Sequence, residues 1–268
     1  MAWIRTVRVK QTIFFGSFFL ASQLFVMLVA SSTASAEVLR ARADSWCPYN
    51  CEPSSETPGV LIELLQESFK GTGYAIDYSI LPWSQAVAEV RTGKYDAIIA
   101  AAKEDLAGMI HTDKPQVIQK SCAYGLSSYK RTVTKANDLK KFKKLGSVKD
   151  YSYGDITNKV LSSPAMQMVL SSIGGDDPVG TNLRRTLDGK IDAFLENEDV
   201  VTYYLKEHKI DNIKKLGCTE DSLALWIGFP ASNPKSKAWV STLDAGQAVL
   251  EKSGKMAVIY KKYGITHD

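Results

Sequence analysis

Between residues 74 and 102 the spacing of apolar positions changes twice. Tyr74, Ile76, Tyr78 and Ile80 alternate with polar or small residues, the period of a half-buried strand. Leu81-Pro82-Trp83 interrupts that strand. Ser84–Thr92 then places Ala86, Val87 and Val90 on one helical face, and Gly93 stands where a helix end favours positive φ. Tyr95–Ala102 is nearly continuous in apolar residues, the mark of a strand buried on both faces. Strand, short helix and buried strand make a βαβ unit with a right-handed crossover. Ligands of open parallel sheets sit beyond the carboxyl ends of the strands. Trp83, Ala101 and Lys103 are therefore expected at one crevice.

The flanking chain continues the pattern. Val38–Ala43 reads as a strand feeding the stiff loop Asp44–Pro53, which holds Trp46, Tyr49, Cys47 and Cys51. Trp46 and Tyr49 are expected either to wall the crevice or simply to pack under the loop. Pro58–Lys70 carries Val60, Leu61, Leu64, Leu65 and Phe69 on one stripe, which completes a βαβαβ set. A second α/β set spans roughly 127–222. Ser121–Ser128 leads into it as a strand, and Leu145–Lys149 is a strand ending in a turn with Ser152, Tyr153 and Gly154. Such a strand-to-helix turn presents backbone N–H groups suited to anions. Helices are expected over 156–162, 181–188 and 200–207, and a buried strand over Ile191–Leu195 delivers Glu196 and Asn197. Ser222–Phe229 is a strand, followed by a helix from Asn233-Pro234 with Trp239, Leu243 and Leu250 inward, and a last helix over Met256–Tyr263. The lysine-rich stretch 130–149 reads as a solvated helix face near Asn137–Lys144.

The first 36 residues differ in kind. Arg5, Arg8 and Lys10 precede the apolar run 13–30, and Ala34-Ser35-Ala36 has the form of a cleavage site. Residues 1–36 therefore read as a secretory signal cut after Ala36, with a retained membrane anchor as the competing account. Three of the 33 basic residues and none of the 29 acidic ones lie there, so the net charge falls from +4 to +1 on removal. That balance gives no electrostatic footprint for nucleic acid. The four cysteines of an exported chain imply disulfides, with three pairings open. Cys47 with Cys51 is the favoured pair because it closes a small loop, which leaves Cys122 with Cys218. Zinc is the weaker alternative, since His111, His208 and His267 stand away from the cysteines and no CxxC occurs. No metal or cofactor is expected.

Several short stretches resemble one family in their order and spacing. They are Pro58-Gly59, Leu81-Pro82-Trp83, Gly93-Lys94-Tyr95-Asp96-Ala97-Ile98-Ile99, Gly189-Lys190-Ile191-Asp192-Ala193, Tyr203-Tyr204-Leu205, Ile227-Gly228-Phe229, Asn233-Pro234-Lys235-Ser236-Lys237 and Lys262-Tyr263-Gly264. Over nearly the whole mature chain the sequence resembles the bacterial solute-binding proteins of family 3, which have the type II periplasmic binding fold. The resemblance implies an α/β protein of two lobes, each a mostly parallel sheet flanked by helices, joined by two crossover strands near Cys122–Ser127 and Ser222–Phe229. Residues 37–122 and 228–268 would form lobe 1 and residues 123–227 lobe 2. It also implies a periplasmic monomer without catalysis, which captures a small polar solute, an amino acid or related compound, and delivers it to an inner-membrane ABC permease.

The implied binding set comprises Trp46, Tyr49, Trp83, Ala101 and Lys103 from lobe 1, with Ser152, Tyr153, Gly154, Glu196 and Asn197 from lobe 2. Amino-acid binders of the family carry an arginine after the third strand and an aspartate in lobe 2. This chain has Lys103-Glu104-Asp105-Leu106-Ala107-Gly108 at the first place and Asn197 beside Glu196 at the second. The expected ligand is accordingly an atypical amino acid, a peptide-like acid or a cation. Two other roles fit the same fold: signal input to a membrane sensor, and a dehydratase of cyclohexadienyl acids with Glu196 as the acid.

Overall fold

The computed structural model describes residues 1–3, 6 and 36–265. The expected export signal lies almost wholly outside the described residues, and no helix among them is long and apolar enough to cross a membrane. Chain order is β1 (Glu37–Ala43), α1 (Val60–Ser68), β2 (Tyr74–Ile80), α2 (Trp83–Arg91), β3 (Ala97–Ala101), β4 (Met109–His111) and β5 (Val117–Leu126). A 3-10 turn (Ala136–Lys141) follows, then β6 (Leu145–Val148), α3 (Asp155–Leu161), α4 (Pro164–Gln167), β7 (Leu170–Ile173) and α5 (Pro178–Leu187). The chain ends with β8 (Ala193–Asn197), α6 (Glu198–Glu207), β9 (Ile213–Pro230), α7 (Ser236–Lys252) and α8 (Lys255–Lys262).

The strands form a curled sheet in the order β2-β1-β3-β9-β5-β8-β6-β7, with β4 also on β9. β1 runs parallel to both β2 and β3, and β6 runs parallel to both β7 and β8. Each half is thus a parallel set, as expected. The antiparallel partners β5 and β9 join the halves. β9 pairs with β5 from Ile213 to Leu225 and with β3 and β4 from Trp226 to Pro230. Helices cover both halves. Leu61, Leu64 and Leu65 of α1, with Phe69 just after it, pack with Trp239 and Leu243 of α7 under the first half. Phe142, Leu145, Val160, Leu161 and Leu195 pack under the second. Full burial of each such side chain is worth about 1.5–3 kcal/mol, so these stripes fix which face each helix turns inward.

β4, α4, β7 and the first part of β9 had no clear signal in the sequence. β4 has only three residues, β7 (LSSI) is short and half polar, and the first part of β9 alternates irregularly through Lys214, Lys215 and Glu220. Both disulfides form, Cys47–Cys51 within the first loop and Cys122–Cys218 across β5 and β9. The lysines of 130–149 are exposed around the 3-10 turn, the solvated arrangement expected of them.

Candidate functional site

The strand ends place the site. β1 and β3 of the first half and β6 and β8 of the second all deliver their carboxyl ends to one cleft. After β1 comes Asp44, then the loop closed by Cys47–Cys51, whose Cys47–Pro48 peptide is cis. The loop is stitched to the start of α1, where Val60 N–H donates to the Pro48 carbonyl (2.9 Å) and Leu61 N–H to that of Tyr49 (3.1 Å). Gly59 makes the approach possible: its φ is +116°, and a Cβ there would lie 2.2 Å from the Tyr49 carbonyl oxygen. The anchored loop holds Trp46 and Tyr49 stacked at 4.9 Å between centroids.

β3 ends in an irregularity. Ala100 has φ +64°, and the register against β9 shifts between Ile98 and Ala101. This bulge turns Ala100 and Ala102 to the cleft and takes Ala101 out of its wall. In the turn beyond, the Asp105 carboxylate accepts from Ala102 N–H (3.1 Å), while Arg91 donates from outside to the carbonyls of Asp105 and Ala107.

The second half brings Tyr151, Ser152 and Tyr153 from the turn after β6, and Glu196 and Asn197 from the end of β8. Tyr153 is locked: Val148 N–H donates to its hydroxyl (2.7 Å), its own N–H donates to Asn158, and Ser121 donates to its carbonyl. Tyr151 packs edge-on to Trp83, with centroids 6.2 Å apart. The start of α3, where free N–H groups were expected to await an anion, is occupied by the chain itself. Asp221 accepts from the backbone N–H of Ile156 (2.9 Å) and Thr157 (3.1 Å) and from the Thr157 hydroxyl (2.6 Å). Gly154 cradles that carboxylate; a Cβ on it would lie 2.4 Å from Asp221.

The two halves are in direct contact across the cleft. Trp46 Nε1 donates to Glu196 Oε1 (3.0 Å), Tyr49 to Asp199 (2.6 Å), and Tyr151 to Asp44. At the rim Ser84 donates to Asp150 (2.5 Å), and Ser152 and Asn158 both donate to Glu104. The cavity between them has about 30 Å³ of free space.

Its walls are Asp44, Trp46, Trp83, Ala100, Ala102 and Asp105 from the first half, Tyr151, Ser152, Tyr153, Glu196 and Asn197 from the second, and Gln119, Leu223 and Leu225 from the joining strands. Three of these are carboxylates, and no lysine, arginine or histidine is among them. Burial pushes Asp44 up to about 6, Asp105 up to about 6 and Glu196 up to about 7. Glu196 is 2% exposed. Its Oε1 accepts from Trp46 Nε1 and from Asn197 N–H (2.8 Å), whereas its Oε2 has no partner among the described residues. Asn197 is fully engaged elsewhere: its carbonyl caps α6 through Val200 N–H (3.0 Å), and its amide donates to Gln119 (2.6 Å).

Of the residues expected from sequence, Trp46, Trp83, Ser152, Tyr153, Glu196 and Asn197 line the cavity. Tyr49 lies one layer behind, bonded to Asp199; Ala101 is buried in the strand; Gly154 backs onto Asp221; Lys103 is exposed outside the wall. Asp44, Ala100, Ala102, Asp105, Gln119, Tyr151, Leu223 and Leu225 line the cavity without having been in the expected set. Asp44 was open to the strand-end rule, being the first residue after β1. Gln119 and the leucines belong to the joining strands and carried no such signal. The grouping of Cys122, Cys218 and Glu198 has the form of a metal site, but its two sulfurs are joined to each other.

Comparison with solved structures returns the same architecture. EhuB in complex with hydroxyectoine superposes with a TM-score of 0.72 at 17% identity, over 87% of this chain and 90% of that one. A substrate-binding protein of an ABC uptake transporter from Streptococcus pneumoniae with bound histidine gives 0.71 at 18%, over 86% and 93%. A histidine kinase sensor domain similar to periplasmic binding proteins gives 0.71 at 16%, over 85% and 96%. At these identities the likeness concerns the fold. No curated protein matches the sequence significantly. The family description of bacterial extracellular solute-binding proteins, family 3, matches residues 40–266, nearly the whole of both halves, and the chain belongs to that family.

Proposed function

We propose that the protein captures a small polar solute outside the cytoplasm by closing its two halves over it, and hands it to an inner-membrane ABC permease. The observation that carries this reading is the cavity between the halves, walled by the ends of four strands and bridged by hydrogen bonds from Trp46, Tyr49 and Tyr151. Trp46, Trp83, Ser152, Tyr153 and Glu196 contact the solute, with Asp44, Asp105 and Tyr151 added to them. Tyr49 and Asn197 shape the site through Asp199 and Gln119. Residues 1–36 direct export and are removed after Ala36. The mature chain works as a monomer and needs no cofactor.

The test is a thermal-shift screen of the purified protein against amino acids, polyamines, opines and organic acids, with X-ray scattering on any hit. A ligand that binds only the folded state adds about 2.7 kcal/mol at 100 times its dissociation constant. A raised melting temperature with a smaller radius of gyration supports the reading; solutes that bind without closure count against it. Docking on a membrane sensor is the second reading, favoured by the likeness to a kinase sensor domain. Co-purification with a permease rather than a kinase separates the two. A dehydratase acting on acidic substrates is disfavoured, because the three cavity carboxylates have no basic side chain beside them to receive an anion.

A further inference from the structure

The cleft lacks what a zwitterion needs. A ligand carboxylate would enter a space beside Asp44, Asp105 and Glu196, with no basic side chain in the wall. The helix N-terminus that would otherwise receive it is filled by Asp221. A bidentate guanidinium is the usual answer to a buried carboxylate. Arg91, which supports this wall, is turned outward onto the carbonyls of Asp105 and Ala107.

The cleft offers what a cation needs. Glu196 Oε2 is buried and has no partner among the described residues, an acceptor with desolvation already imposed on it. Trp46, Trp83, Tyr151 and Tyr153 surround the same space, and aromatic faces attract organic cations. A hard metal ion would need about six oxygens around it, which ring faces do not supply. Resting on the solute-binding reading above, we infer that the cleft selects a small organic cation without a carboxylate, a protonated amine or guanidinium whose N–H groups reach Glu196 Oε2 while its carbon chain lies against the Trp46, Trp83 and Tyr151 rings. A quaternary ammonium satisfies the rings but has no N–H for Oε2, and so ranks below the amines.

The groups that face Glu196 are Asp44 and Trp46 from the loop after β1, Tyr151 and Tyr153 from the turn after β6, Tyr124 from β5, and Asn197 beside it. All are acidic or neutral. A bound cation therefore displaces protons from this cluster rather than an existing partner.

The experiment is calorimetry on the purified protein with matched pairs that differ by one carboxylate: agmatine against arginine and cadaverine against lysine, with choline and succinate alongside. The inference expects the decarboxylated member of each pair to bind at least about tenfold tighter, a difference of about 1.4 kcal/mol. It also expects affinity to rise between pH 5.5 and 8, with protons released on binding. Glu196→Gln keeps an oxygen for Trp46 and Asn197 and should lose at least about tenfold in amine affinity. The matched pairs and the pH profile decide the matter without any variant. Arginine, lysine or succinate binding as tightly as the amines overturns the inference and leaves the solute-binding function standing. Absence of binding by every amine and guanidine overturns it also. Absence of any ligand in the wider screen overturns both.

Discussion

Replacing Glu196 by glutamine should make the protein more stable, and only at neutral and alkaline pH. The carboxylate is 2% exposed, and burial lifts it from an ordinary 4.5 to about 7. A folded pKa above the unfolded one means that the folded state binds the proton more tightly. The group costs nothing below about pH 4.5, and the cost grows as pH rises and is complete above about 7. At about 1.36 kcal/mol for each pH unit, the cost at pH 8 is about 3 kcal/mol. Glutamine removes it while its carbonyl oxygen keeps the bonds from Trp46 Nε1 and Asn197 N–H. At about 2–4 °C per kcal/mol for a chain of this size, Glu196→Gln should melt about 6–12 °C above the parent at pH 8 and with it at pH 4.5. Urea unfolding at both values gives the free energies directly. Repulsion from Asp44, itself raised by burial, is one of the causes that lift Glu196, so its relief is part of the difference between the two proteins. Equal stability at pH 8, or a gain that does not change with pH, would refute the reasoning. The stabilised variant is also the one expected to lose amine affinity, since the carboxylate it removes is the group proposed to hold the cation.

Tyr49→Phe removes the hydrogen bond to Asp199 between the halves; about 1 kcal/mol of closure should go, read as about fivefold weaker binding and a more open average shape in scattering. Asp221→Ala uncovers the start of α3 and should cost about 1–2 kcal/mol in urea unfolding, with added chloride or phosphate recovering part of it. Gly154→Ala forces a Cβ to 2.4 Å from Asp221 at φ +102°, and should destabilise by more than about 2 kcal/mol. Reduction of Cys47–Cys51 should loosen the loop bearing Trp46 and weaken binding more than it lowers the melting temperature; equal affinity with and without reductant would dismiss this.

Most of the fold was legible because its central parallel strands are buried on both faces and read as apolar runs. Ala97–Ala101 and Ala193–Asn197 are completely buried, and their neighbouring helices carry regular stripes. The antiparallel part was harder: β9 has one solvated edge over its first residues, so charge interrupts its alternation and only 222–229 stood out. In the site, the strand-end rule located the aromatic wall but could not give side-chain direction. Lys103 follows β3 as foreseen, yet the bulge at Ala100 and the turn held by Asp105 leave it outside. The sign of the site's charge was hidden for the same reason, since Asp44 and Asp105 look in sequence like ordinary loop residues.

β9 passes from one half to the other as a single strand of 18 residues, and at the crossing Ser222–Leu225 stay paired with Val117–Lys120 of β5. Any parting of the halves must therefore flex a hydrogen-bonded ribbon. Such a ribbon behaves as a leaf spring, with a narrow range of angles and a restoring force, where a pair of free linkers would swivel. The residence time of a bound solute then depends on the stiffness of four residues per strand as well as on the contacts that grip it.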